Sequence, residues 1–205
     1  MNNHDAIVIG AGQSGLATAH ALITRGLRPL VLEAGDDPVG SWPHYYNSLT
    51  LFSPARYSAL PGLQFPGDPE RYPHRDEVVA YLRSYAEHLD ADIRTGHRVT
   101  EVLHSNGYRV STAGGTTFTA PLVIAATGGF GSPHRPALPG LGDFPGTVLH
   151  AAQYRTYEPF QGQRVIVVGA GNSAVQIAAE LAEHAHVTLA TRKPVKFSAQ
   201  RPFGR

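Results

Sequence analysis

The chain has no cysteine, one methionine and one tryptophan in 205 residues. Without thiols, these residues cannot form disulfide scaffolds, cysteine-ligated zinc sites, iron–sulfur clusters or dithiol redox centres. Charge is scarce and balanced. The 17 Lys and Arg against 16 Asp and Glu leave +1, with only 16% of residues charged. Such a chain has no general pull toward nucleic acid or acidic membranes. Long apolar runs are also missing: the longest are about five residues, Leu122 to Ala126 among them, against the roughly 20 of a membrane span. The amino terminus, Met1-Asn2-Asn3-His4-Asp5, has no cationic region, and Gly10 and Gly12 break the apolar segment after it. No signal peptide or membrane partner is therefore expected, and the expected location is the cytoplasm. The 11 histidines show no metal-ligand spacing, and no G-x-S-x-G elbow supplies a nucleophile.

What is present is a hydrophobic fraction of 42%, enough for a core, with 22 glycines and 16 prolines that imply many tight turns. The length lies between one and two domains. An internal echo organises it: residues 6–15 read AIVIGAGQSG and residues 165–174 read VIVVGAGNSA. Each is a β-branched run, a glycine turn and the start of a helical pattern. In the second copy Ala174, Ile177, Ala178, Leu181 and Ala182 form one apolar helix face, with Glu180 and Glu183 away from it. Second strands follow at 28–33 and 186–192, making two βαβ openings.

Between them, 41–73 reads as a long ordered loop rich in aromatics, Pro and Ser. Residues 75–89 read as a helix with Val78, Leu82, Tyr85 and Leu89 on one face. Strands are expected near 98–104, 107–112 and 116–119, joined at Asn106-Gly107 and Gly114-Gly115. Leu122 to Ala126 reads as a continuous buried strand ending at Thr127-Gly128-Gly129, followed by a Pro/Gly-rich connector at 131–146.

Gly10-x-Gly12-x-x-Gly15 is the dinucleotide fingerprint. The first glycine makes the tight turn, the second admits a pyrophosphate to the backbone, and the third lets helix and strand pack closely. Glu33, about 20 residues on, ends the second strand, where a carboxylate accepts ribose hydroxyls. The second copy, Gly169-x-Gly171-x-x-Ala174, has Arg192 in the register of Glu33. A guanidinium there pairs with a 2′-phosphate, which an acid would repel. The first site thus suits an unphosphorylated ribose, as in FAD, and the second suits NADPH. Two dinucleotide sites imply electron transfer between a nicotinamide and a flavin, and they disfavour a single-site dehydrogenase.

With these motifs in hand, the sequence resembles the class B flavin-containing monooxygenases, especially their bacterial members. GAGQSG at 10–15 looks like the family's FAD motif. GSWPHYYNSLTLFSP at 40–54 and FPGDPERYPHRDEVVAYLRSYA at 65–86 look like its flavin and substrate region. ATGGFGSPHRPALPGL at 126–141 resembles the turn where the chain leaves the FAD domain. Phe144-Pro145-Gly146-Thr147-Val148-Leu149-His150-Ala151-Ala152-Gln153-Tyr154 matches the family fingerprint F-x-G-x-x-x-H-x-x-x-aromatic.

The resemblance implies an α/β, two-dinucleotide-binding (Rossmann-like) flavoprotein, with an FAD domain at 1–155 and the start of an incomplete NADP domain at 156–205. NADPH would reduce FAD, dioxygen would form a C4a-hydroperoxide, and one oxygen atom would pass to a small sulfur, nitrogen or ketone substrate. The implied FAD contacts are Gly10, Gly12, Ser14, Gly15, Glu33, Ala34, Gly40, Trp42, Val99, Thr127 and Gly128. Those implied for NADPH are Gly169, Gly171, Asn172, Ser173, Ala174 and Arg192. Phe52 and His150 are the catalytic candidates, and each has a structural alternative: Phe52 as core packing, His150 as a fingerprint scaffold. Phe52 stands where many relatives carry Asn or His beside the flavin. A homodimer is a compatible assembly. One βαβ unit leaves a sheet edge and a helix face uncovered, so the chain reads as an amino-terminal portion. Two alternatives stay open, a non-thiol FAD/NAD(P)H oxidoreductase and an FAD-binding module without turnover.

Overall fold

A computed structural model describes residues 4–104 and 106–196. The described residues pack as two compact units, one within 1–43 and 53–132, the other within 44–52 and 133–205. The packing division thus falls after Ser132, earlier than the functional division expected at 155/156. It also gives the short segment 44–52 to the second unit. The end of the expected second domain, 197–205, lies outside the described residues.

In the first unit, β1 (Ala6–Ile9), α1 (Gln13–Ile23) and β2 (Pro29–Leu32) form the first βαβ opening. β1 and β2 pair in parallel, with Ile7 opposite Leu30 and Ile9 opposite Leu32. α2 (Arg75–His88) leads to β3 (Asp92–Arg94), and the parallel sheet has the order β3-β2-β1-β7, with β7 at Val123–Ala125. Parallel sheets bury both faces, and Ile7, Val8, Leu30 and Val31 are fully buried. Each contributes on the order of 1.5–3 kcal/mol by removal from water. α1 lies close because Gly15, Leu16 and Ala19 are its buried positions.

α2 follows most of its expected face: Val78, Leu82 and Tyr85 are buried and Tyr81 and Ala86 join them, while Leu89 is the half-buried, extended residue just past its end. Its start is capped where the His74 N–H donates to Glu77 Oε2 at 2.8 Å, which holds the Glu77 carboxyl below its ordinary range. β4 (Val99–His104), β5 (Tyr108–Thr112) and β6 (Thr117–Ala120) form the expected antiparallel meander. Asn106 and Gly107 both sit at positive φ, 47° and 102°, as the Asn-Gly turn requires.

The expected buried strand at 122–126 is corrected. β7 is shorter and forms one edge of the sheet, with Leu122 42% exposed and Val123 and Ile124 only half-buried. An apolar run cannot by itself tell a central strand from an edge.

In the second unit, β8 (Arg164–Val168), α3 (Asn172–Ala182) and β9 (His186–Ala190) repeat the βαβ opening. Among the described residues this sheet has two strands, paired in parallel from Arg164–His186 to Val168–Ala190. Ile177, Ala178 and Leu181 of the expected helix face are buried, while Ala182 is exposed. On the sheet, Ile166 and Val168 are 68% and 66% exposed.

Candidate functional site

Backbone crowds the first glycine turn at Gly10, Gly15 and the neighbouring Gly40. A Cβ on Gly10, which sits at φ +102°, would lie 2.5 Å from the Ala126 carbonyl oxygen. A Cβ on Gly15 would lie 1.8 Å from the Gly10 carbonyl oxygen, so only glycine lets α1 start this close to β1. Gly40 closes the turn from the outer side: at φ +60° its Cβ would stand 2.7 Å from Gly12 Cα.

Glu33, only 7% exposed, ties this turn to the end of β2. Its Oε2 accepts from Ala11 N–H at 2.6 Å and its Oε1 from Gly35 N–H at 2.9 Å. Each carboxylate oxygen keeps a second lone pair for a ligand hydroxyl. Among the described residues no side chain caps α1, because its N-cap is Gly12. The first-turn N–H groups of α1 therefore suit an external anion.

The other expected first-site residues fall around this turn or in the sheet beside it. Ser14 is exposed on the first turn of α1, and Ala34 is half-buried next to Glu33. Trp42 donates its indole N–H to Gln13 Oε1 at 2.8 Å, joining the 40–42 turn to the first residue of α1. Thr127 and Gly128 are exposed past β7, beyond the Ala126 N–H that donates to Ile9 O. Val99 packs against the cluster of Ile7, Leu30, Val110 and Phe118, so its side chain is committed to the core.

The second glycine turn repeats the backbone path with open surroundings. Gly169 sits at φ +133°, and its nearest neighbour to an added Cβ is the Ala174 methyl at 3.5 Å. Around Gly171, the N-cap of α3, nothing among the described residues comes within 4 Å of an added Cβ, and no side chain caps the helix. Asn172 and Ser173 are exposed on the first turn. Arg192 is exposed beyond β9, and the Thr191 hydroxyl donates to Lys193 O at 2.7 Å, curling the chain there.

The catalytic candidates separate. Phe52 is 66% exposed, so it is not the core residue of its alternative reading. His150 is a cap: its Nδ1 accepts from Ala152 N–H at 3.0 Å, and its own N–H donates to Gln153 Oε1 at 2.8 Å. Accepting at Nδ1 places the ring proton on Nε2. The rest of the fingerprint is packing of the same kind. Gly146 leaves room for the Phe144 ring, which an added Cβ would meet at 2.5 Å. The buried Tyr154 donates to Glu180 Oε2 at 2.7 Å, and burial with that carboxylate raises its phenol pKa strongly. Glu180, away from the apolar helix face, is half-buried and bonded.

Sequence reasoning missed Gln13, Tyr46 and Gln176. Gln176 had a signal, since Ser173, Gln176 and Glu180 share a polar stripe of α3 at i, i+3 and i+7 beside the apolar one. Among the described residues no group of three or more His, Asp or Glu is placed to hold a metal ion, and no helix is long and apolar enough to cross a membrane.

Residues 7–203 match the family model described as pyridine nucleotide-disulphide oxidoreductase. The indole-3-pyruvate monooxygenase YUCCA1 of Oryza sativa subsp. japonica is 36% identical over 97% of this chain and 50% of its own length. The chain spans about half the length of the curated relatives it matches. A flavin-containing monooxygenase from Stenotrophomonas maltophilia superposes with a TM-score of 0.91 and 41% identity, over 97% of this chain and 61% of that one. A bacillithiol disulfide reductase from Staphylococcus aureus superposes at 0.84 with 26% identity, over 99% and 61%. The chain has an α/β fold with two Rossmann-like openings. It belongs to the pyridine nucleotide-disulphide oxidoreductase family, on its flavin-containing monooxygenase branch.

Proposed function

We propose that the chain carries the FAD site and the opening of the NADPH site of a monooxygenase that transfers one atom of dioxygen to a small sulfur, nitrogen or ketone substrate. The observation that carries this reading is the closed first turn. Gly10, Gly15 and Gly40 leave no room for side chains, and the carboxylate of Glu33 is fixed beside the turn with lone pairs to spare. This cradle fits a dinucleotide with an unphosphorylated ribose.

In the proposed assignment, α1 directs its N-terminal dipole and N–H groups at the FAD pyrophosphate. Glu33 holds a ribose and orders Ala11 in the same act. Gly171 and the first turn of α3 meet the NADPH pyrophosphate, and Arg192 pairs with the 2′-phosphate. Bound flavin supplies the electron relay between nicotinamide and dioxygen. His150 shapes the 150–153 turn and holds no reacting proton. The protein is read as cytoplasmic and compatible with a homodimer.

A second reading, a flavin-dependent reductase, is favoured by the likeness to the bacillithiol disulfide reductase. The absence of cysteine from these residues favours the oxygenase. The test incubates the protein with FAD, NADPH, dioxygen and a panel of thioethers, amines and ketones. The proposal expects an oxygenated product that incorporates label from ¹⁸O₂. NADPH consumption that yields only hydrogen peroxide across the panel would favour the reductase.

A further inference from the structure

The segment 44–52 packs in the second unit, although it is continuous at both ends with the first. Besides the Asn47 N–H, which donates to the Arg155 carbonyl at 2.8 Å, one side chain of α3 grips it. The Gln176 carboxamide donates Nε2–H to the Thr50 carbonyl at 2.9 Å, and its Oε1 accepts from the Thr50 N–H at 3.4 Å. A single side chain thus engages both backbone groups of Thr50, as a neighbouring strand would. The same Oε1 accepts from the Tyr46 hydroxyl at 2.9 Å.

Tyr46 is 4% exposed and clusters with Tyr154, Ile177 and Leu181. Burial pushes its phenol pKa up, so it stays a donor. Gln176, one turn into α3, thus gathers Tyr46 and the backbone of Thr50.

We propose that Gln176 is a positioning residue that couples occupancy of the second glycine turn by a pyridine dinucleotide to the ordering of residues 46–52. The coupling rests on the nucleotide reading above. A pyrophosphate at Gly171–Ala174 immobilises the first turn of α3, and with it the next turn, which carries Gln176. Tyr46 and Gln176 then have a fixed rather than a fluctuating anchor, and the cost of ordering 46–52 falls because part of it is already met. The segment ends at Phe52, so the nucleotide also restrains the backbone that carries this exposed aromatic.

Hydrogen exchange of the 205-residue chain, with and without saturating NADP⁺, tests the coupling. The expected result is protection at 169–182 together with exchange slowed about fivefold or more at 46–52, the lower end of ordinary coupling free energies. Gln176→Ala and Tyr46→Phe are both expected to keep the protection at 169–182 and to lose it at 46–52. Tyr46→Phe keeps the ring in its cluster, so it decides the matter if Gln176→Ala loosens α3 itself. Protection confined to 169–182 in the parent chain, or coupled protection surviving in Tyr46→Phe, overturns the proposal. A chain in which neither segment responds overturns the nucleotide reading and the coupling with it.

Discussion

The two glycine turns have nearly the same sequence and very different surroundings. Around the first, backbone stands 1.8–2.7 Å from where three added methyl groups would be, and a buried carboxylate ties the turn to its sheet. Around the second, the tightest approach is an ordinary van der Waals contact, and Gly171 faces open space among the described residues. The comparison explains the third position of each motif. Gly15 lies against the carbonyl of Gly10 and admits no methyl. Ala174 carries one, which an added Cβ on Gly169 would meet only at 3.5 Å. What a fingerprint glycine is for is decided by what packs on it.

The largest expected effect follows from that contrast. Gly15→Ala must displace backbone and is expected to cost about 3 kcal/mol or more, with loss of retained flavin. Thermal unfolding and the flavin spectrum measure both. An unchanged melting temperature would erase the distinction between the turns. Glu33→Gln keeps one acceptor oxygen but removes the charge shared by two backbone N–H bonds. A loss of about 1.5–3 kcal/mol is expected in chemical denaturation, with weaker flavin retention. Arg192→Ala acts on the open turn and is expected to leave stability intact while weakening NADPH binding about tenfold more than NADH binding. Equal losses with the two nucleotides, measured by titration, would remove Arg192 from the 2′-phosphate site.

A smaller effect sharpens the comparison at the sheet edge. β3 has no counterpart among the described residues of the second unit, and it carries an ion pair within the strand, Arg94 Nε and Nη2 donating to Asp92 at 3.0 and 2.6 Å. These bonds, with Arg94, His4 and His97 facing the carboxylate, hold the Asp92 pKa below its ordinary value of 3.8. The folded form thus binds this proton less readily than the unfolded form does. The contribution is present in full above pH 3.8 and is lost as pH falls through the lowered value. Asp92→Asn is expected to cost under about 1 kcal/mol at neutral pH and nothing once the parent is acidified past that point. A difference that persists in acid would place the effect in packing rather than charge.

Much of this was legible because local pattern and tertiary role coincide. The β-branched run, glycine turn and apolar helix face located β1–α1–β2 and β8–α3–β9, and Asn106-Gly107 located a hairpin. The four-strand order and the edge position of β7 were not legible, since Val123 and Ile124 look alike in a central strand and at a rim. Nor was the capture of 44–52 by the second unit, which depends on Gln176 meeting Thr50, a pair far apart in sequence. Glu33 was found through its spacing, whereas its grip on Ala11 N–H required coordinates. His150 was marked by its motif, and only its bond to Ala152 reveals that it caps a turn.

The central claim is that the closed first turn is an FAD cradle able to hold its cofactor in this 205-residue chain. The visible absorption spectrum of the purified chain after gel filtration tests it most directly. The account predicts flavin bands that co-elute with the protein and are lost in Gly15→Ala. A folded parent chain that elutes colourless after reconstitution with FAD would contradict it.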